Sequence, residues 1–296
     1  IIAQPVCCEI TFNVAAGSLY GVRIEKTHNT FQGQFEKVDV ILESINTDPV
    51  LGGLGGFDIL IGYDNSALSL QSVDIATSGL YSTCKWEYFT YRFGADGNCS
   101  GGCPSGLVRI VGLAETNNGA AHPICDPKFV PTLPTTMFSM NFLVTNDRTL
   151  ECMYVPIRFF WLDCGDNTLS NWDGSQLYIA GRVFDYHDQD VQIDPALASF
   201  PGWAGVPAGF CTNPEPNKPA PDRNIDFFDG GIDIVCADSI DLRGDINLNN
   251  VANEIADAVM FTNYFVKGLS AFGTDPIRVQ GSIAATDVNA DGLALS

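Results

Sequence analysis

The chain has 296 residues and a formal net charge of −20, from 35 acidic and 15 basic residues. Nucleic-acid binding is excluded as a function class, because Lys and Arg must neutralise the phosphates and are scarce here. No apolar run approaches the roughly 20 residues that span a bilayer, so membrane insertion is not expected. The length leaves room for two modest domains.

The cysteine count indicates an oxidising compartment. Ten cysteines are scattered along the chain without a repeated C-x-x-C pair, a pattern typical of disulfides. We therefore expect a secreted, extracellular protein whose signal peptide is removed before Ile1. Cys152 with Cys164, and Cys211 with Cys236, are the disulfide candidates, although sequence alone does not fix the connectivity.

Residues 20–195 keep a two-residue hydrophobic period, preceded by residues 1–19 as an arm or an extra strand. Side chains alternate across a strand, so each such run predicts a strand with one core-facing side. About nine strands make a two-layer β-sandwich or jelly roll the expected fold. The predicted strands are 20–25, 35–43, 57–63, 68–75, 86–93, 106–113, 138–144, 153–161 and 177–183.

A change of composition follows the sandwich. Six prolines between positions 201 and 221 indicate an extended linker at 196–225, because Pro-rich segments are stiff. Residues 226–296 are then expected to form a second, small module with a helix at 254–267 that ends at Gly268.

Near the C-terminus, alternate oxygen-bearing residues predict a calcium loop. Asp287, Asn289 and Asp291 precede a glycine and have the 1, 3, 5 spacing of an EF-hand loop, with the carbonyl of Leu293 as the next ligand. Calcium prefers six to eight such oxygens, so Ca²⁺ is the expected cofactor.

A second copy of the spacing precedes the predicted helix. Ala256 stands where an acid normally closes the loop, so a one-residue insertion with Asp257 as the closing ligand is expected. The six expected ligands of this loop are Asp245, Asn247, Asn249, Val251 (through its carbonyl), Asn253 and Asp257.

These two loops resemble a dockerin, and the sandwich resembles a cohesin, the domain that receives dockerins. The segment Gly55-Gly56-Phe57-Asp58-Ile59-Leu60-Ile61-Gly62-Tyr63-Asp64 carries the cohesin resemblance. The resemblance implies partner contacts through Asp58 and Leu60 on the sandwich, and through Glu254 and Ile255 on the module. The usual dockerin hydroxyl pair is absent at the latter two positions.

The predicted helix is apolar on two sides, which is typical of a helix buried on both. One broad face is expected to serve its own module, and it is formed by Ile255, Ala258, Val259, Phe261, Phe265 and Val266. The smaller face, formed by Met260 and Tyr264, is assigned to a partner.

No enzyme is expected, since the three histidines are isolated from any catalytic motif. The sequence indicates a non-catalytic assembly protein that joins copies of itself head to tail into filaments, or binds other cohesin- or dockerin-bearing proteins. Two alternatives stay open. One is a carbohydrate-binding module with polysaccharide as its partner, and the other is a glycosidase accessory unit with an acid pair assembled only by the fold.

Overall fold

The computed structural model describes residues 18–93, 104–117, 123–125, 128–150, 152–191, 209–213, 219–235, 243–288 and 294–295. Within these ranges the chain forms thirteen strands followed by two α-helices. The strands are β1 (Tyr20–Ile24), β2 (Lys26–Thr30), β3 (Phe35–Ser44), β4 (Gly56–Tyr63), β5 (Leu68–Asp74), β6 (Tyr88–Phe93), β7 (Gly106–Leu113), β8 (Thr135–Val144), β9 (Tyr154–Phe159), β10 (Thr168–Ser170), β11 (Leu177–Phe184), β12 (Asp222–Phe228) and β13 (Gly230–Ile234).

The strands form two layers around one core. One layer has the order β5-β8-β3-β1-β12-β11 and the other β6-β7-β4-β9-β13-β2, while β10 pairs with both β11 and β4. Aromatic rings meet between the layers: the Phe57 and Phe138 centroids are 5.9 Å apart, and those of Phe159 and Phe227 are 4.6 Å apart. The fold is therefore mainly β, a two-layer sandwich with a small helical module after it.

All nine strands expected from the alternating pattern are present, together with four that are not among those nine: β2, β10, β12 and β13. Two of these, β12 and β13, contradict the expected domain boundary at 225/226, because residues 222–234 are part of the sandwich. Strand β12 lies between two parallel neighbours, β11 and β1. It is buried continuously from Ile225 to Phe228, so it lacks the alternation of a half-exposed strand.

The predicted linker is also wrong in its role. The predicted linker lies between the neighbouring strands β11 and β12 and includes the first residues of β12, and its Cys211 is bonded to Cys164 of the sandwich. This disulfide rules out both candidate pairings, Cys152–Cys164 and Cys211–Cys236. Cys152 is itself disulfide-bonded, and Cys236 lies outside the described residues. A further disulfide joins Cys84 to Cys125.

The helical module contains α1 (Ile255–Lys267), a 3-10 turn (Gly268–Phe272) and α2 (Pro276–Ala285). Asp275 caps α2 by accepting a hydrogen bond from the Ile277 N–H, and Pro276 occupies the first helical position. Phe272, Ile246 and Ala285 form the small core. In the described part of the chain, no helix is long and apolar enough to cross a membrane.

Candidate functional site

The calcium loop predicted at residues 245–257 folds around two buried carboxylates, Asp245 and Asp257. Asp245 accepts hydrogen bonds from the backbone N–H groups of Asn249 (2.9 Å) and Asn250 (2.6 Å). Asp257 accepts from the N–H of Asn247 with one oxygen and from that of Glu254 with the other, both at 3.0 Å. The carboxylate at the first turn of α1 thus reaches back across the loop, in the place expected of a closing ligand.

Left-handed backbone conformations let the loop coil this tightly. Leu248, Asn250 and Asn253 have φ between 58° and 70°, and Gly244 has φ 87°. A Cβ on Gly244 would lie 2.3 Å from the Asn253 side-chain oxygen, so only glycine fits there. Asn253 therefore packs against the start of the loop, as a ninth-position side chain should.

One oxygen in this loop has no hydrogen-bond donor. Asn247 Oδ1 is buried and unpaired, while the Asn247 and Asn249 amide nitrogens both donate to Glu254 Oε1. A buried oxygen without a partner is costly, and a cation beside the two carboxylates would satisfy it. The residues present therefore fit a calcium ion.

The remaining ligands would have to be neutral oxygens. Among the described residues, no group of three or more His, Cys, Asp and Glu side chains could hold a metal ion. A calcium ion here would rely on amide and backbone oxygens, including the Val251 carbonyl, besides the two carboxylates. Loops with few charged ligands bind calcium more weakly.

Of the ligands predicted in the loop at 287–293, Asp287 is the one that the structure describes. Asn289, Asp291 and Leu293 lie outside the described residues. Asp287 is buried, and its Oδ2 accepts hydrogen bonds from Arg243 Nη1 at 3.0 Å and from Asn146 Nδ2 at 2.7 Å. Asn146 follows β8, so this carboxylate joins the helical module to the sandwich. That role was not foreseen, because sequence spacing carries no sign of the distant Asn146.

The structure reverses the assignment of the two α1 faces. Met260 and Tyr264 are partly buried against the module core, with the Tyr264 and Phe272 rings stacked at 5.6 Å. They are therefore not a partner surface. Phe261, expected on the broad face, also packs inward.

The rest of the broad face is exposed. Ile255 is 85% exposed, Val266 80% and Phe265 68%, values unusual for large apolar side chains in one short helix. We call the following five exposed residues the outer helix face: Ile255, Val259, Phe265, Val266 and Leu269. Of the predicted contacts on the module, Ile255 belongs to this surface, and Glu254 caps α1 beside it.

Of the two predicted partner residues on β4, Leu60 is buried and Asp58 is paired within the sandwich. Leu60 is 4% exposed and packs against Leu107 and Phe160, which corrects its expected place on an open face. Asp58 is bound by Arg109 through two hydrogen bonds of 2.9 Å. The charge of Asp58 is therefore already paired within the sandwich.

The segment after β9 covers this face of β4. Phe160 N–H donates to the Leu60 carbonyl (2.9 Å), and the Leu60 N–H donates to Asn167 Oδ1 (3.0 Å). Asn167 has φ 53° and fills the space between β9 and β10, which pair with different parts of β4. An asparagine in left-handed conformation leaves only a weak turn signal in the sequence.

The two histidines that the structure describes are exposed. His28 and His187 are each more than half exposed beside one carboxylate, Asp233 and Asp185 respectively; His122 lies outside the described residues.

Five aromatic residues lie at 86–93. Trp86 is buried and Phe89 packs on the core, but Tyr88 and Phe93 are exposed. The Tyr91 and Phe93 rings are inclined by 15° at 6.2 Å. The carbohydrate-binding hypothesis now depends on this pair.

Comparison with known proteins gives no family assignment. No protein-family model and no curated protein matches the sequence.

Solved structures that align with the chain are cohesins or cohesin–dockerin complexes. A chain of the Coh-OlpA–Doc918 complex from Clostridium thermocellum aligns at 13% identity and a TM-score of 0.40, over 73% of this chain and 99% of that one. The third ScaC cohesin with the ScaB dockerin from Acetivibrio cellulolyticus gives 12% identity and 0.41, with the same coverage. The cohesin module of a Clostridium perfringens family 33 glycoside hydrolase gives 10% and 0.33, over 53% and 87%. At these TM-scores the alignments establish nothing further, and the sandwich assignment is based on the strand pairing.

Proposed function

We propose that this chain is an extracellular, non-catalytic assembly protein whose helical module docks onto another protein molecule in the presence of calcium. The observation that carries the proposal is the outer helix face. A small module with five large apolar side chains exposed on one side resembles a protein interaction site, since soluble monomers rarely expose contiguous apolar patches.

Calcium is proposed to stabilise that surface. Asp257 is both a candidate ligand and part of the first turn of α1, and it accepts a hydrogen bond from the N-cap residue Glu254. A cation held between Asp245 and Asp257 would fix the start of α1 next to Ile255. Docking through this helix should then depend on calcium.

An extracellular location is supported by the disulfides Cys84–Cys125 and Cys164–Cys211, because such bonds persist in oxidising compartments. The proposed partner is another copy of the chain, so that copies assemble head to tail. A different protein as partner is the alternative.

Light scattering of the full-length protein over a range of micromolar concentrations, with calcium and with chelator, tests this function. We expect assemblies in calcium that dissociate on chelation. Asp257→Asn should raise the calcium concentration needed for assembly about tenfold or more, because it removes a ligand charge without changing size. Asp275→Asn, at the cap of the other helix, is the matched control and should not change it.

A monomer at every calcium concentration would exclude self-assembly. If neither chelator nor Asp257→Asn changes the extent of assembly, the proposed calcium dependence is excluded.

A further inference from the structure

A second exposed apolar surface lies where two loops of the sandwich meet. Val50 is 67% exposed, and Leu51, Trp172 and Leu177 are also exposed. The loops are joined by hydrogen bonds from Trp172 Nε1 to the Val50 carbonyl (3.1 Å) and from the Trp172 N–H to the Gly52 carbonyl (3.2 Å). We call Val50, Leu51, Trp172 and Leu177 the tail patch.

The tail patch and the helical module lie at opposite ends of the sandwich, as the course of β3 shows. At its beginning, Phe35 lines the same cleft as Gln280 and Ile283 of α2. At its end, Ser44 leads directly into the loop that carries Val50. Ten strand residues span about 33 Å, so the tail patch of one molecule cannot touch the outer helix face of the same molecule.

The charges around the two surfaces are complementary. Along α1 the charged residues are Asp257, which is buried, and Lys267, which is exposed at the C-terminal end. Beside the tail patch are Asp48 and Asp173, with Lys128 held by the Asp48 carbonyl. Glu254, at the N-cap, is half-buried and accepts hydrogen bonds from the Asn247 and Asn249 amides, so Lys267 is the exposed charge of the helix. In a chain of net charge −20, such a helix is suited to meet an acidic rim.

Both rim carboxylates are ionised at neutral pH. Hydrogen bonds from the N–H groups of Leu51 and Val50 lower the pKa of Asp48. Bonds from the hydroxyl and N–H of Ser175 lower the pKa of Asp173. Their charge is thus available to a cation of an approaching molecule.

We propose that the tail patch is the receiving surface for the outer helix face of a second copy of this chain. The inference depends on the proposed function and names its partner surface. The receiving residues are not those on β4 that the cohesin resemblance implied. Because the two surfaces differ and lie at opposite ends, each added copy leaves one of each free, and the assembly grows as an open filament.

Two single-surface variants test the pairing. Val50→Asp places a charge in the tail patch, and Val266→Glu places one in the outer helix face. Each should raise the concentration for half-maximal assembly in calcium about tenfold or more, because a buried unpaired charge opposes association. Val191→Asp, an exposed apolar position on the flank of the sandwich, is the control and should assemble like the wild type.

Mixing the two variants gives the decisive result. Val50→Asp retains its helix face and Val266→Glu retains its tail patch, so the mixture should form one-to-one heterodimers and stop there. Mass photometry of each variant and of the mixture reads this directly. Circular dichroism confirms that each variant is folded, and Leu51→Asp replaces Val50→Asp if that one is not.

The possible failures are distinct. If the wild type does not assemble, the proposed function itself fails. If the wild type assembles and Val50→Asp and Leu51→Asp do so equally well, the tail patch is not the receiving surface. If both variants are blocked but their mixture stays monomeric, the two surfaces are not each other's partners.

Discussion

Asp229 is a buried carboxylate at the turn between β12 and β13. Its Oδ1 accepts a hydrogen bond from the Phe159 N–H at 2.9 Å, which connects the turn to β9. Burial, opposed by that hydrogen bond and by Arg158 and aided by the nearby Asp185, raises the pKa of Asp229 to about 8. The folded protein therefore keeps a proton there at pH values where an unfolded Asp has lost it.

This shift predicts a pH dependence of stability. Between pH 4 and about 8 the folded state binds more protons at this site, so the free energy of unfolding falls as pH rises. Asp229→Asn should remove that slope, which is at most about 1.4 kcal/mol per pH unit for one group. Urea unfolding at pH 5, 6, 7 and 8 measures it.

The control for this prediction is Asp275→Asn, the exposed N-cap of α2, which should leave the slope as in the wild type. Parallel stability curves for Asp229→Asn and the wild type would contradict the assigned role of Asp229.

At the scale of elements, the connection between β11 and β12 depends on a covalent bond. The two strands are parallel neighbours, and the chain between them is held to the sandwich where Cys211 meets Cys164. The bonded cysteines are 47 residues apart in sequence. Cross-linking so long a loop reduces the conformational entropy of the unfolded chain.

Replacing Cys164 and Cys211 together by serine should lower the free energy of unfolding by up to about 4 kcal/mol. Denaturant titration measures the loss. The double serine variant of Cys84 and Cys125, whose sequence separation of 41 is similar, should lose a comparable amount. An unchanged midpoint for the first pair would mean that the connection is held by packing alone.

At the scale of the whole molecule, Arg243 joins the sandwich to the helical module. Its Nη1 donates to the Asp287 carboxylate at 3.0 Å and its Nη2 to Asn146 Oδ1 at 3.0 Å, while Asn146 also donates to Asp287. The three side chains form a closed ring of hydrogen bonds between the two parts.

Arg243→Ala should separate the unfolding of the two parts, because it removes the hydrogen bonds that Arg243 donates to Asp287 in the module and to Asn146 in the sandwich. A loss of about 1–3 kcal/mol from the module is expected, with the sandwich unaffected. Differential scanning calorimetry should then show an earlier transition for the module. Arg278→Ala, which removes a hydrogen bond to the Asn247 carbonyl inside the module, is the control and should not uncouple the sandwich. A single unfolding transition for Arg243→Ala, at the same temperature as in the wild type, would show that the ring does not couple the two parts.

Local patterns in the sequence determined the nine alternating strands and the oxygen-bearing loop that starts at Asp245. Alternation and the spacing from Asp245 to Asn253 are properties of neighbouring residues, so they can be recognised from the sequence alone. Asp257 stands one residue past the expected closing position and accepts from the Asn247 N–H in the structure, while its role as a calcium ligand stays a prediction.

Only the tertiary structure decided which surfaces are free. Leu60 and Asp58 alternate like exposed strand residues. The segment that covers Leu60, however, follows β9, about a hundred residues later, and the Arg109 that pairs with Asp58 lies on β7. Cys164 and Cys211 are likewise brought together by strand pairing rather than by spacing. Because α1 is apolar on two sides, its sequence could not tell which side packs inward; Phe272, beyond the helix, settles it by stacking on Tyr264.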